Sequence, residues 1–264
     1  MTRRTVLAPA KLTWSLKVGE RREDGYHDLD AEMVTLDLAD HLIIDNGDGI
    51  SVTGEEHARA ASLREGSNNL VSRALALVGR RAEVSLHKRI PLGGGLGGGS
   101  ADAGAVLRWA GGVPLADAAR LGGDVPFCMV GGRARVQGLG ELVEPLAFEA
   151  RSVVLLIPPF GVDTGAAYQA LDHLRARGAG HHNRNDLTEA AMLVEPELTR
   201  WWDAFGQTSG RVPVLAGSGS TLFVEGDPGD LGLEGVSTLQ VGRREGVLIA
   251  ARTVPNSFGD PRDG

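Results

Sequence analysis

The chain has 264 residues with 27 basic and 34 acidic side chains, a formal net charge of −7, so it lacks the basic excess that marks a nucleic-acid-binding surface. Hydrophobic residues make up 42% of it, ordinary for a soluble protein with one large core or two compact ones, and no stretch approaches the apolar length of a bilayer span. Cys128 is the single cysteine, which excludes an intrachain disulfide and a cysteine-built zinc site; between Phe127 and Met129 it reads as a small buried hydrophobe.

Arg3 and Arg4 lead into no long apolar run, so no secretory leader is expected and the cytoplasm is the expected compartment. Residues 6–18 read as a strand, with Leu12, Trp14, Leu16 and Val18 on one face and Lys11, Thr13, Ser15 and Lys17 on the other. A charged turn over 19–27 follows, then strand-like runs at 32–36, 41–45 and 50–53. Asn69 is placed to cap a helix over 70–78. Residues 82–90 alternate Val84, Leu86 and Ile90 with polar residues, Lys88 among them, and a glycine-rich run leads from there into a helical pattern at Ala101, Ala105, Leu107 and Trp109. A short helix over 115–121 is broken by Gly122-Gly123-Asp124, with strands expected at 127–130 and 134–137.

The composition changes near 149–151, after which 152–157 is a wholly apolar core strand stopped by Pro158-Pro159. Helical patterns cover 164–175, 187–193 and 197–205; His181 and His182 between them have no metal-ligand spacing and read as loop residues. Short strands flank Gly217-Ser218-Gly219-Ser220, a last strand covers 246–251, and the tail beyond Thr253 is expected to be disordered. Helices and strands mixed without regular alternation predict an α+β fold with two lobes, 1–149 and 150–253, followed by a disordered tail over 254–264.

The densest signal is Pro91-Leu92-Gly93-Gly94-Gly95-Leu96-Gly97-Gly98-Gly99-Ser100-Ala101-Asp102, with six glycines in seven positions. Without Cβ atoms such a backbone can turn several N–H groups onto one anion, and the following helix adds free N–H groups and the positive end of its dipole. This composition suits a phosphate cradle. A Walker A loop needs a lysine after the glycines, and none follows. Gly93, Gly95 and Gly98 match a dinucleotide fingerprint, yet the loop lies mid-chain and the run before it ends in Pro91, awkward for a central parallel strand. A flexible linker would carry Ser, Gln or charge and would not join two patterned segments so directly.

The run from the proline through Gly-Leu-Gly to a small-residue helix resembles the second motif of the GHMP kinase superfamily. Three further pieces occur in order: Pro9-Ala10-Lys11-Leu12 with Gly25-Tyr26-His27; Gly123-Asp124-Val125-Pro126-Phe127 with Gly131-Gly132; and Leu215-Ala216-Gly217-Ser218-Gly219-Ser220-Thr221-Leu222-Phe223. Gly-Tyr-His together with Gly-Asp-Val-Pro is similar to the branch that phosphorylates a diphosphocytidyl polyol in non-mevalonate isoprenoid biosynthesis. Thr164, Tyr168 and Asn185-Asp186-Leu187 also fall where that branch has similar residues, and the resemblance runs from Leu7 to Ala250.

The resemblance implies a two-lobed fold, an ATP-binding lobe and a smaller substrate lobe, and direct transfer of the γ-phosphoryl group of ATP to the tertiary 2-hydroxyl of that cytidyl diphosphate substrate. ATP would lie against residues Pro91 to Ala101. Asp124 would accept the hydroxyl proton and Lys11 would stabilise charge on the transferring group; taken alone, Asp124 is a turn former and Lys11 a solvated cation. Tyr26 and His27 would hold the cytosine, with Lys88 and Thr13 beside the substrate and Gly217, Ser218 and Gly219 shaping the floor of the site. Mg²⁺ is expected as the ATP complex, no acidic ligand set is visible, and Ser100 is the one hydroxyl named for it. No nucleic acid or membrane partner is expected, and the chain is expected to be a monomer or weak homodimer.

Three departures stand out. Thr13 occupies the place of a common asparagine, Ala101 replaces the second hydroxyl of a Ser-Ser pair, and the span from the glycine loop to Asp124 is short. Two rivals remain: a related kinase with a mevalonate-like, homoserine or sugar substrate, against which Gly25-Tyr26-His27 argues, and a non-catalytic nucleotide-binding module, against which intact Lys11 and Asp124 argue.

Overall fold

The computed structural model describes residues 3–55, 69–178 and 184–263, so His181 and His182 lie outside the described residues. Its spine is a long antiparallel pair, β1 (Arg4–Arg21) and β2 (His27–Asp45), in register from Arg4 opposite Ile44 to Arg21 opposite His27. The separate runs at 32–36 and 41–45 are one strand, because β1 supplies backbone partners along nearly its whole length and side-chain patterning does not decide where a ladder stops.

On its other side β2 forks. Residues 41–45 pair with β4 (Glu83–Lys88), beside which β3 (Gly49–Gly54) runs parallel; residues 29–34 pair with β5 (Arg133–Gly138), which continues to β6 (Leu142–Pro145). In the gap of the fork Thr35 N–H donates to Gly132 O, and Asp40 accepts from the Arg89 and Ile90 N–H groups. The exit from β4 and the entry to β5 are therefore tied to the same few residues of β2. The helices of this half are α1 (Leu70–Leu77), α2 (Gly98–Trp109), α3 (Leu115–Ala119) and α4 (Val125–Val130).

The second half carries a wholly antiparallel sheet in the order β10-β11-β7-β9-β8, from β7 (Ser152–Ile157), β8 (Val214–Leu215), β9 (Leu222–Glu225), β10 (Thr238–Val241) and β11 (Arg244–Arg252). Its helices are α5 (Thr164–Arg175), α6 (Thr188–Val194) and α7 (Glu197–Ser209). One apolar cluster runs through both halves, and Trp14 of β1 meets Phe223 of β9 with ring centroids 5.3 Å apart.

Three expectations are corrected. Residues 127–130 belong to helix α4, not a strand: a four-residue apolar run is ambiguous on its own, and Pro126 near its start is the helix-start signal that decides it. α2 starts at Gly98, inside the glycine run, two residues before the start expected near Ser100. The tail is ordered: Val254 N–H donates to Thr35 O, residues Asn256–Gly259 form a 3₁₀ turn, and β12 (Arg262–Asp263) pairs with Arg4 and Thr5 of β1. Its polar, Gly/Pro/Asp-rich sequence hides this because the anchoring is through backbone groups, with Arg108 Nε donating to Gly259 O at 3.2 Å. β6 and β10 had no counterpart in the sequence reading.

Candidate active site

Lys11 and Thr13 lie on the stretch of β1 where its register against β2 slips twice, between Pro9 and Lys11 and between Thr13 and Ser15. Bulges re-aim a strand. Here the Lys11 N–H donates to Leu96 O of the glycine loop at 3.1 Å, which fixes that loop against β1. Lys11 Nζ donates to Thr13 Oγ1 at 3.1 Å and stands 3.2 Å from Asp124 Oδ2; the lysine side chain is 6% exposed and the aspartate 34%.

Asp124 reaches this point because the chain crosses itself closely just before it. A Cβ on Gly123 would come within 2.7 Å of Leu139 O, so only glycine fits. Asp124 occupies the N-cap position of α4, but its carboxylate makes no capping bond and is paired with Lys11 instead. Cys128, one turn along α4, is buried, and burial followed by the charge of Asp124 pushes its thiol up to about 12, which makes it a poor nucleophile.

The glycine loop faces this pair. Gly97, in the left-handed region with φ 69°, caps α2 without a side chain, and a Cβ there would come within 2.7 Å of Lys11 Cγ. Intrahelical bonding begins with Ala101 N–H to Gly97 O at 2.8 Å, so the N–H groups of Gly98, Gly99 and Ser100 have no partner within α2. Pro91, Leu96 and Ala101 are buried, their side chains serving the core.

The loop at Gly217–Gly219 closes the opposite wall. A Cβ on Gly95 would sit 2.6 Å from Ala216 O, and Thr221 N–H donates to Gly94 O at 3.3 Å, so the two loops are in direct contact. Asn185 holds the second loop, donating to Leu215 O at 2.9 Å and Gly217 O at 2.6 Å and accepting from Leu187 N–H at 2.9 Å. Sequence reading marks Asn185 only as a family position; a side chain bonded to backbone thirty residues away has no periodic signature. Lys11, Thr13, Gly93, Gly95, Gly97, Asp124 and Gly217–Gly219 line a cavity of about 430 Å³.

A second cavity, of about 770 Å³, is lined by Tyr26, His27, Gly123, Thr164, Tyr168 and Asp172 among others. Thr164 and Tyr168 line both, so the cavities adjoin. His27 is buried and stacks on Tyr168 with centroids 5.3 Å apart at 28°, while Tyr26 is 64% exposed at the mouth. Burial, then the charge of Asp124, pushes the Tyr168 phenol up to about 12, so it stays neutral at working pH.

Lys88 is not brought to either cavity. Its ammonium is buried between the carboxylates of Asp40 and Asp102, the latter at 2.6 Å, beneath the start of α2. The expectation that it touches substrate is corrected: two buried carboxylates hold the cation in place. Burial alone would lower the Lys88 pKa, but the two carboxylates outweigh it and the net shift is upward. Asp102 moves up to about 8, first through burial and then through the charge of Asp40, against the pull of Lys88. Its Oδ1 is buried without a partner.

A glycine-rich loop running into a helix, faced by a lysine–aspartate pair and a second glycine loop, defines a small-molecule kinase of the GHMP class, and residues 69–132 match the family model for the GHMP kinases N terminal domain. The chain is 38% identical to a 4-diphosphocytidyl-2-C-methyl-D-erythritol kinase of Paracoccus denitrificans, over 82% of this chain and 84% of that one. It is 35% identical to its counterpart in Ruegeria pomeroyi, over 82% and 86%. A crystal structure of 4-(cytidine 5'-diphospho)-2C-methyl-D-erythritol kinase superimposes with a TM-score of 0.71 at 30% identity, covering 94% of this chain and 98% of that one. The chain belongs to the 4-diphosphocytidyl-2-C-methyl-D-erythritol kinase family.

Proposed function

We propose that this chain transfers the γ-phosphoryl group of ATP to the 2-hydroxyl of 4-diphosphocytidyl-2-C-methyl-D-erythritol. The observation that carries the reading is the Lys11–Asp124 pair, 3.2 Å apart, on the wall of a cavity shared with the glycine loop and adjoining the His27–Tyr168 cavity. The hydroxyl oxygen attacks the γ-phosphorus in line, the bond to the β–γ bridging oxygen breaks, and ADP leaves. Asp124 accepts the hydroxyl proton, and Lys11 places positive charge beside the transferring group. The open N–H groups of Gly98, Gly99 and Ser100 at the start of α2 receive the nucleotide phosphates, with the rest of Pro91–Ala101 as the wall behind them.

Tyr26 and His27 receive the cytosine, a stacking face and a hydrogen-bonding edge; Thr13 lies beside the reacting hydroxyl, and Gly217, Ser218 and Gly219 form the floor. Mg²⁺ would be held by the nucleotide phosphates, with Ser100 Oγ as the candidate hydroxyl beside them; the described residues hold no group of three His, Cys, Asp or Glu side chains placed to bind a metal. The lobes 1–149 and 150–253 contribute opposite walls, and the ordered tail returns to the first. The same reading takes the chain as a cytoplasmic enzyme, monomeric or weakly homodimeric; among the described residues no helix is long and apolar enough to cross a membrane.

Incubation with Mg-ATP and the diphosphocytidyl substrate, followed by mass spectrometry, tests the reading. One ADP should form per singly phosphorylated product, with CDP competing against the substrate; ADP without phosphorylated product would overturn it, as would transfer to homoserine or mevalonate and not to the cytidyl compound.

A further inference from the structure

Helix α5 presents Thr164, Tyr168 and Asp172 at intervals of four, so the three share one face. All three are engaged at the candidate site. Thr164 Oγ1 lies 2.8 Å from Ser218 Oγ, Tyr168 stacks on His27, and Asp172 Oδ1 lies 2.8 Å from His27 Nε2. The helix is fixed at its start by Asp163, whose Oδ1 accepts from Ala166 N–H at 2.7 Å. One helical face thus spans from the second glycine loop to the pocket expected to hold the base.

We propose that Asp172 is a positioning residue that sets base selectivity by fixing the tautomer of His27. This rests on the reading of Tyr26 and His27 as the cytosine pocket. A carboxylate only accepts, so in the neutral ring Nε2 carries the proton and Nδ1 carries the lone pair. Nδ1 is then the ring nitrogen left for a ligand in the cavity that His27 lines. An acceptor beside an aromatic stack matches a flat heterocycle whose edge donates N–H, as the 4-amino group of a cytosine does. The 4-oxo group of uracil sets lone pair against lone pair. The side chain of His27 is 5% exposed and that of Asp172 30%, so the contact is partly shielded from competing water. A site built to pair a donor rejects an analogue lacking it far more strongly than an apolar pocket does.

The test is titration calorimetry of the full-length protein with CDP and with UDP, for the wild type, Asp172→Asn and Asp172→Leu, with ¹⁵N NMR of the His27 ring alongside. The wild type should favour CDP by roughly 100-fold or more, and both variants should cut that ratio at least about tenfold while leaving the KM for ATP unchanged. The wild-type ring should show a protonated Nε2 and an unprotonated Nδ1 at neutral pH, and Asp172→Asn should lose that pure signature. An unchanged CDP/UDP ratio in both variants, or a wild-type ring with Nδ1 protonated, overturns the proposal. Phosphoryl transfer with an unchanged ratio refutes the role of Asp172 alone, whereas an Asp172-dependent CDP preference without transfer refutes the kinase reading alone.

Discussion

Replacing Lys88 with methionine keeps the buried stem of the side chain and deletes its charge. Asp40 is fully buried and the Asp102 side chain is 5% exposed, so the variant leaves two carboxyl groups facing each other with no cation. Asp40 retains its bonds from the Arg89 and Ile90 N–H groups, but Asp102 loses the hydrogen bond from Lys88 and its Oδ1 is already without a bond. Removing one partner of a buried pair costs about 3–5 kcal/mol, a large part of the ~5–15 kcal/mol that holds a domain folded. For a chain near this size each kcal/mol moves Tm by about 2–4 °C, so the expected drop is about 6–20 °C. The internal control is Arg22→Met, which removes the exposed, solvent-screened pairs to Asp24 and Asp28 and should barely move Tm. Both variants would be followed by thermal unfolding at pH 7 without ligand. A Lys88→Met drop no larger than that of the control would show the cluster to be hydrated, and would reopen a ligand-facing role for Lys88.

Four shorter predictions accompany it. Asp102 binds a proton in the folded state from its ordinary carboxyl range up to about 8 that the unfolded chain does not, so its contribution to stability is full below about pH 4 and falls until about pH 8; Tm of Asp102→Asn should therefore be flatter than wild type between pH 5 and 8, and parallel curves would refute the assignment. Asp124→Asn should lower kcat by roughly 100-fold or more with little change in substrate affinity, measured by steady-state kinetics, because the acceptor for the hydroxyl proton is gone. Tyr26→Ala should raise KM for the cytidyl substrate far more than KM for ATP; equal effects would place the exposed ring outside the base pocket. Thr13→Asn supplies a carbonyl and an amide where one hydroxyl now accepts from Lys11, and should raise kcat/KM by several-fold, a hydrogen bond being worth about 0.5–1.5 kcal/mol; a large loss would show that the pocket is packed around threonine.

Short-range features were legible wherever their physics is local. The apolar strand 152–157 and helix 164–175 coincide with β7 and α5, since a continuous apolar run and a capped amphipathic turn each need only neighbours in sequence. The glycine loop was legible for the same reason: a backbone that lets Lys11 and Ala216 approach within contact requires glycine, and glycine can be read directly. Lys11 and Asp124 were recognisable through the motifs around them.

Only the tertiary structure decided what the charged and polar side chains touch. Lys88 looks like any lysine on an alternating strand until the fork of β2 brings Asp40 to it and the start of α2 brings Asp102. His27 and Asp172 are 145 residues apart and meet because α5 lies against the start of β2. The tail reads as disordered because its partners are backbone groups of β1 and β2, which no residue type advertises. Residue type and spacing specify which chemistry a chain can hold; which charge is neutralised and which segment is pinned depend on long-range pairing, and those were settled by the fold.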